Sequence, residues 1–258
     1  MSENINILTC IISCKKNMSQ WYRYETIDKS IIICGDNNLE QKYKIEYKNN
    51  SKILFLNCSD LYCGLCEKII FMINSILELK EYNNITHIIK IDDDNIFNNE
   101  NIESLYNYPE ILNNYNYIGQ YMHCAPRINN WHFDRTSFNN YWYNKIYSID
   151  NNKPYLDGGE SYILSRYAMN RIKDYYNFND LSKLRKEYIY EDHMIGEILN
   201  YYKIYPIQTF YGIKGDKGIQ GYIFPDHISK LNELLKNNME LTQKALLCSC
   251  SRCNINKL

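Results

Sequence analysis

The sequence predicts an α/β protein with a mostly parallel β-sheet that is covered by helices on both faces. Short apolar runs, typical of buried strands, alternate with longer segments whose apolar residues recur at helical spacing. This alternation is typical of βαβ units, in which the strands run parallel. No internal repeat and no linker rich in Pro, Gly or Ser divides the 258 residues, so we expect a single domain over residues 1–258.

The predicted strands of the first half are short apolar runs that end in polar or turn-forming residues. They are Ile5–Ser13, Ile31–Cys34, Lys52–Asn57 and His87–Ile91. A helix is predicted before the last of these strands, because apolar residues from Leu61 to Ile76 recur on one helical face. Asp60 is placed to cap this helix at its start, and we expect the helix to reach about Glu81.

The second half of the chain is less regular. Residues 124–154 are aromatic and polar without a clear period, which is typical of ordered loops beside a functional site. The predicted elements are a helix over Asn99–Leu112, a strand over Tyr117–Met122, a strand over Ser161–Leu164, a helix over Arg166–Tyr176, a helix over Glu191–Tyr201, a strand over Ile204–Phe210, a loop over Gly212–Gly221 and a final amphipathic helix from Asp226.

Composition and charge limit the classes of function. The chain has 29 Lys and Arg against 30 Asp and Glu, so no basic field gathers nucleic acid. No apolar run reaches the roughly 20 residues of a membrane-spanning helix. The first residues do not resemble a signal peptide. We therefore expect a soluble, cytoplasmic protein with no membrane span and no nucleic-acid partner, while the oligomeric state is not indicated.

The abundance of Asn, Ile and Tyr has a simple explanation in an AT-rich genome, such as that of a large DNA virus or an AT-rich microbe. The ten cysteines are too few for a disulfide scaffold and need no oxidising compartment. Cys248, Cys250 and Cys253 resemble part of a zinc site, although no clear fourth ligand lies near them.

The strongest chemical signal is the run Asp92-Asp93-Asp94, which follows a predicted strand. In open α/β sheets, ligands bind beyond the carboxyl ends of the strands. Adjacent carboxylates repel one another unless a cation neutralises them. Since alternate residues of an extended run point the same way, Asp92 and Asp94 can face one divalent ion, with substrate phosphates completing its coordination. The alternative is a solvated acidic turn.

Two further segments carry candidate site residues. Glu191 and Asp192 open a predicted helix, where acidic residues usually stabilise the helix dipole; the functional alternative is that one of them is a general base. Gly158 and Gly159 precede a predicted strand. This glycine pair is either a simple turn or a place where a ligand approaches the backbone closely.

Taken in order, these segments resemble the motifs of the β-1,3-galactosyltransferase and fringe superfamily of inverting glycosyltransferases. The resemblance covers about residues 50–200. Asp157 stands where the family often has a cysteine, and the N-terminal family segment is matched only in part around Ser13. The matching motifs are Asp60, Tyr62, Leu65 and Lys68, then K-I-D-D-D-N-I-F at Lys90–Phe97, G-G-E-S-Y-I-L-S at Gly158–Ser165, and E-D-H-M-I-G at Glu191–Gly196.

The resemblance implies a GT-A-type, Rossmann-like fold. In such a fold, residues 1–98 would be the nucleotide-binding half. Residues 99–258 would be the acceptor-side half, ending in a helix and a cysteine-containing tail. The implied activity is metal-dependent inverting transfer of a hexose or N-acetylhexosamine from a UDP-sugar. The acceptor would be a glycan or another hydroxyl compound, and the product would be a β-linkage.

The resemblance also implies roles for individual residues. Asp94 would ligate Mn²⁺ directly, with Mg²⁺ as the second choice of ion. Asp92 would support the ion or its waters, and Asp93 would face the ribose or the sugar of the donor. Asp192 matches the catalytic base of the family.

A histidine downstream of the base is a metal ligand in this family, and His227 is our candidate for it. An imidazole beside oxygen ligands suits Mn²⁺ better than Mg²⁺, but a helix-capping or surface histidine is the alternative. The remaining expected contacts to the donor are Lys68, Ser13, Gly158, Gly159 and Glu191.

Two other interpretations stay open. One is a retaining glycosyltransferase or a nucleotidyltransferase with a D-x-D site, which the stereochemistry of the product separates from an inverting enzyme. The other is a non-catalytic glycan-binding or structural protein. The intact aspartate run and Asp192 argue against the second interpretation.

Overall fold

The computed structural model describes residues 4–124, 126–149, 153–176, 181–209 and 211. The predicted loop over Gly212–Gly221, the predicted helix from Asp226, His227 and the three cysteines of the tail lie outside the described residues. Within the described part, no helix is both long enough and apolar enough to cross a membrane.

The described residues form twelve strands and six α-helices. The strands are β1 (Ile7–Ile12), β2 (Ser30–Gly35), β3 (Tyr43–Lys48), β4 (Ser51–Leu56), β5 (His87–Asp92), β6 (Tyr117–Gly119), β7 (Met122–His123), β8 (Arg127–Asn129), β9 (Tyr147–Ile149), β10 (Tyr155–Leu156), β11 (Tyr162–Ser165) and β12 (Ile207–Gln208). The helices are α1 (Leu65–Glu78), α2 (Asn99–Tyr106), α3 (Pro109–Asn114), α4 (Arg166–Tyr175), α5 (Leu181–Glu187) and α6 (Glu191–Tyr201).

Eight of these strands form one sheet in the order β12-β6-β11-β5-β1-β2-β4-β3. Strand β1 is parallel to both β2 and β5, β2 is parallel to β4, and β12 is parallel to β6. Strands β11 and β3 are antiparallel to their neighbours. Two small antiparallel sheets pair β7 with β10 and β8 with β9. The predicted fold class, a mostly parallel sheet flanked by helices, is confirmed.

Helices cover both faces because the strands are apolar on both sides. Leu8, Cys10 and Ile12 of β1 belong to a buried cluster with α1, α4 and α6. Ile7 faces the other way and packs in a second cluster with α2 and α3. Ile11 joins a third cluster with aromatic residues of the 3₁₀ segment that follows β1. The alternation of side chains along one strand therefore supplies the core on both sides of the sheet.

Several predicted boundaries are wrong for identifiable reasons. The helix predicted over Asn99–Leu112 is two helices, because the ring of Pro109 cannot continue a helix and the proline opens α3 instead. The strand predicted over Tyr117–Met122 divides between two sheets. Strand β3 was not predicted, since its sequence Y-K-I-E-Y-K is largely polar and lies at the edge of the sheet.

Asp60 does not cap the first helix. A 3₁₀ turn, Tyr62–Gly64, precedes α1, and the cap residue Gly64 makes no side-chain bond. The Asp60 carboxylate instead accepts hydrogen bonds from the backbone N–H groups of Gly35 and Lys15, at 2.8 and 2.7 Å. It therefore ties the end of β2 to the loop that follows β1.

Candidate active site

The aspartate run lies at the carboxyl edge of the central sheet. Asp92 is the last residue of β5 and pairs in register with Ile12, the last residue of β1. The N–H of Asp93 donates to the Ile12 carbonyl at 3.0 Å. This register brings the aspartates beside Ser13, at the end of the sheet where α/β proteins bind their ligands.

Asp93 faces the loop that follows β1. Its Oδ2 accepts a hydrogen bond from Ser13 Oγ at 2.5 Å and another from Asn17 Nδ2 at 2.8 Å. Trp21 Nε1 donates in turn to Ser13 Oγ at 2.7 Å. Asn17 and Trp21 carry no sequence motif, and only the fold brings them to Asp93.

Lys68 lies one layer beneath this loop. Its side chain is 4% exposed, and Nζ donates to the Ser13 carbonyl at 2.7 Å and to Asp60 Oδ1 at 2.9 Å. Because its ammonium is enclosed by these two groups, Lys68 holds the Ser13 backbone in place. A direct contact of Lys68 with a donor molecule stays a prediction.

Lys90 joins three segments that are far apart in the sequence. Its fully buried ammonium lies 2.6 Å from Asp92 Oδ1 and 2.9 Å from Glu191 Oε1. It also donates to the Gly158 carbonyl at 2.8 Å. Glu191 is completed by Tyr162, whose hydroxyl donates to Oε2 at 2.8 Å. The strand end, the glycine turn and the start of α6 thus converge on one cation.

Burial and charge act against each other at this centre. Burial by itself lowers the pKa of Lys90, but the carboxylates of Asp92 and Glu191 more than offset it, so the pKa lies above its ordinary value. Burial raises the pKa of Glu191, and the charge of Lys90 only partly offsets that rise. Lys90 therefore stays protonated at neutral pH.

Asp94 differs from its neighbours because it lies at the exposed surface. Partial burial of its carboxyl group, followed by the charges of Asp92 and Asp93, raises the pKa of Asp94. Among the described residues no Lys, Arg or His forms an ion pair with it. The atoms that Asp92, Asp93 and Asp94 offer to a ligand are carboxylate oxygens that repel one another. Such oxygens fit a hard or borderline divalent cation.

The glycine turn is shaped by the helix that packs on it. A Cβ atom built on Gly158 would lie 2.2 Å from Glu191 Oε1, whereas one on Gly159 would come no closer than 3.3 Å to Asp157 Oδ1. Gly158 is therefore needed for close packing, and Gly159 is not. Ser161, at the end of the turn, has a φ of 71°, a conformation that side chains rarely adopt.

Asp192 stands beside two residues that sequence reasoning did not select. One ligand atom each from His123, Asp157 and Asp192 lie within 4.8 Å of one another. His123 Nε2 is 2.8 Å from Asp157 Oδ2. In the sequence, Asp157 is visible only as a replacement of the family's usual cysteine, and His123 carries no signal.

The aromatic segment before β9 packs against the start of α6. His132 Nδ1 lies 2.7 Å from the hydroxyl of Tyr190, the residue before α6. The Arg135 guanidinium stacks 3.9 Å above the Trp131 ring and 5.8 Å from the Tyr62 ring. Burial, then the neighbouring Tyr190 and Asp192, raise the pKa of Tyr62.

The predicted site residues divide into two groups in the structure. Lys90 brings together Asp92, Gly158 and Glu191, while Asp94 stands at the surface beside this centre. Asp192 lies on the side of α6 that faces His123 and Asp157. The proposed ligand His227 lies outside the described residues.

Comparison with known proteins identifies a family that the chain matches. A family model described as Galactosyltransferase matches residues 17–209. The matched stretch contains the aspartate run, the glycine turn and the start of α6. A search of the curated proteins finds no match for the chain.

Proposed function

The chain belongs to the galactosyltransferase family, and from that membership we propose that it is a metal-dependent, inverting glycosyltransferase that uses a UDP-sugar. Family membership supports a glycosyltransferase with a sugar donor and an acceptor. The metal, the nucleotide and the stereochemistry are our proposal.

The observation that carries this proposal is the convergence of Asp92, Gly158 and Glu191 on Lys90. It gathers the end of the aspartate run, the glycine turn and the start of α6, where Asp192 follows Glu191, around one buried ammonium. A donor sugar lying along the turn would have its diphosphate near the aspartates and its opposite face toward α6. In that pose, an acceptor activated at Asp192 would displace the diphosphate from the α6 side.

Asp94 would hold the divalent ion, with Asp92 supporting the ion or its waters and Asp93 facing the donor's ribose or sugar. Mn²⁺ is the proposed ion and Mg²⁺ the second choice, and His227 is the proposed additional ligand. When bound, such an ion offsets the charge that develops on the diphosphate leaving group. The exposed carboxylate of Asp94, which the charges of Asp92 and Asp93 repel, supports this assignment.

Asp192 is the proposed general base. Of the two acidic residues that open α6, Glu191 is 3% exposed and paired with Lys90, whereas Asp192 is only partly buried. The His193 N–H donates to Asp192 Oδ1 at 2.7 Å and so orients the carboxylate. Asp192 would take the proton of the acceptor hydroxyl as that oxygen attacks the anomeric carbon, inverting an α-linked donor into a β-linkage.

The proposed acceptor is a glycan or another hydroxyl compound. Trp131 is 53% exposed, and the Arg135 guanidinium stacks on its ring and lies 5.8 Å from the ring of Tyr62. Tyr62 is close enough to Asp192 for the carboxylate to raise its pKa. Exposed aromatic faces beside a general base suit the apolar faces of a sugar ring, with polar groups reading the hydroxyls.

The direct test incubates the purified protein with Mn²⁺ and a panel of nucleotide sugars, and measures release of the nucleoside diphosphate. We expect turnover of a UDP-sugar that is lost on chelation and in the Asp94→Ala variant. The anomeric configuration of the product is then read by NMR. Turnover that survives chelation would contradict the metal dependence, and a product with retained configuration would support the retaining D-x-D alternative.

A further inference from the structure

We propose that His123, Asp157 and Asp192 form a second cation site, separate from the aspartate run, that binds a borderline transition-metal ion such as Zn²⁺. The three side chains come from β7, the turn after β10 and the start of α6. Their ligand atoms lie within 4.8 Å of one another. The binding itself does not depend on the proposed function, although its consequence for catalysis does.

The two carboxylates of this second site are oriented by the backbone. The N–H of Gly159 donates to Asp157 Oδ1 at 2.9 Å, and the N–H of His193 donates to Asp192 Oδ1 at 2.7 Å. Each bond fixes the plane of a carboxylate on a rigid part of the fold, a turn in one case and a helix start in the other. Ligands held in this way lose little conformational freedom on binding an ion.

The imidazole is held equally firmly. His123 pairs in register with Tyr155 in the small sheet of β7 and β10, and its ring packs 4.9 Å from the rings of both Tyr155 and Tyr121. The N–H of Asp157 donates to the Tyr121 carbonyl at 2.9 Å, so Asp157 is tied to the same strand pair. The backbone therefore holds His123 and Asp157 close together, and their contact does not depend on one side-chain rotamer at the surface.

The ligand atoms of the second site determine which class of ion it binds. One imidazole nitrogen and two carboxylate oxygens make a mixed site, with Zn–N and Zn–O bonds of about 2.0–2.2 Å and a fourth position for water. The divalent ion and two carboxylates balance in charge. Zn²⁺ binds such ligands more tightly than Mn²⁺ does.

Occupancy of the second site has a consequence under the proposed function. Asp192 is the proposed base, and coordination of its carboxylate would withhold it from the acceptor hydroxyl. Zn²⁺ would therefore inhibit transfer while Mn²⁺, acting at the aspartate run, supports it. The two ions would therefore act at different positions and have opposite effects on transfer.

The test measures binding of Zn²⁺ alone by calorimetry, without nucleotide. The background variant carries Cys248→Ser, Cys250→Ser and Cys253→Ser, which removes the thiols of the tail. On this background, His123→Ala and Asp157→Asn should each weaken Zn²⁺ binding by about 10- to 100-fold or more, since loss of an outer ligand partner alone has that effect. Glu46→Gln, an exposed acid on β3, is the matched control and should bind Zn²⁺ as the background does. The comparison is repeated with Asp94→Ala added to the background, which removes the proposed Mn²⁺ ligand from the measurement.

A second measurement, of the visible spectrum with Co²⁺, applies if one variant fails to fold. Co²⁺ bound at this site should give the visible spectrum of nitrogen and oxygen ligands, without a thiolate charge-transfer band. Unchanged Zn²⁺ affinity in a folded His123→Ala or Asp157→Asn protein overturns the site. Failure of the proposed function is seen separately, as Mn²⁺-independent UDP binding that Asp94→Ala does not alter.

Discussion

Lys90 and Glu191 form an ion pair of 2.9 Å in the interior, with side chains 0% and 4% exposed. The pair joins β5 to α6, and Asp92 and the Gly158 carbonyl complete the surroundings of the lysine. A buried charge is stable only when it is paired and hydrogen-bonded, so each partner depends on the other. The geometry of the candidate site is therefore tied to the stability of the fold.

Replacement of Lys90 by Met should destabilise the protein by about 3–5 kcal/mol, because it leaves buried carboxylates without their cation. The measurement is the free energy of unfolding from denaturant titration. Lys44→Met is the control, since the Lys44–Glu46 pair is about half exposed and such surface pairs contribute about 0–1 kcal/mol. Equal effects of the two substitutions would contradict the assigned role of Lys90.

Asp94 gives a prediction about pH. Its pKa is raised in the folded protein, so its ionised form costs stability; the cost is absent below the ordinary pKa of about 3.9 and complete once the pH exceeds the raised value. Asp94→Asn should therefore raise the melting temperature of the metal-free protein at pH 7 and not at pH values near 3.5. Mn²⁺ should stabilise the wild type and not the variant. A variant less stable than the wild type at pH 7 would contradict this account.

The glycine turn offers a matched pair of substitutions. Gly158→Ala would place a Cβ 2.2 Å from Glu191 Oε1, forcing the carboxylate away from Lys90. We expect a loss of about 1–3 kcal/mol in stability, the usual cost of overpacking, together with weaker transfer. Gly159→Ala meets its nearest atom, Asp157 Oδ1, at 3.3 Å and should cost much less stability than Gly158→Ala. Denaturant titration and the transfer assay on both variants decide the matter.

The sequence predicts much of the fold because the central strands are apolar in the regular way that a buried sheet requires. It does not predict β3, whose Y-K-I-E-Y-K sequence is that of a solvent-facing edge. It also assigns Asp60 to a helix cap, because the pattern of a cap is local and the loop that Asp60 actually binds is distant along the chain.

The site was predictable only where a motif is continuous in sequence. The run Asp92–Asp94 and the acidic pair at Glu191 are visible in the sequence, but a lysine within an apolar strand is usually solvated. The central place of Lys90 depends on contacts 68 residues and more away, which the fold alone creates. His123 is missed for the same reason, since its partner Asp157 is 34 residues away.

The aromatic segment near α6 leads to a prediction about the acceptor. Trp131→Ala should raise the KM for the acceptor and leave the KM for the donor unchanged, because Trp131 lies on the Tyr62 and Asp192 side of the site. Little stability should be lost, since the ring is 53% exposed. Tyr47→Ala, at the exposed edge strand β3, is the control and should alter neither constant. A change in the KM for the donor in the Trp131→Ala variant would contradict the assignment of the aromatic segment to the acceptor.

The two acidic residues that open α6 should separate catalysis from stability. Asp192→Asn keeps the shape and can still accept a hydrogen bond from the His193 N–H, but the amide cannot take a proton from the acceptor. Transfer should fall by about 10²- to 10⁴-fold, the usual contribution of a general base. Binding of Mn²⁺ and UDP should survive, because the proposed contacts to both are made by the aspartate run and not by Asp192.

Glu191→Gln, in contrast, should mainly lower the stability of the fold. Its carboxylate is buried against Lys90 and Tyr162, so removal of the charge leaves the buried lysine with one carboxylate and should cost about 3–5 kcal/mol in the free energy of unfolding. Asp192→Asn, at a partly exposed position, should cost far less stability than that. Transfer by Asp192→Asn at the wild-type rate would show that the residue only stabilises the start of α6. In that case the base must be another acid or histidine that reaches the acceptor, and Asp157 with its partner His123 would be the first pair to test.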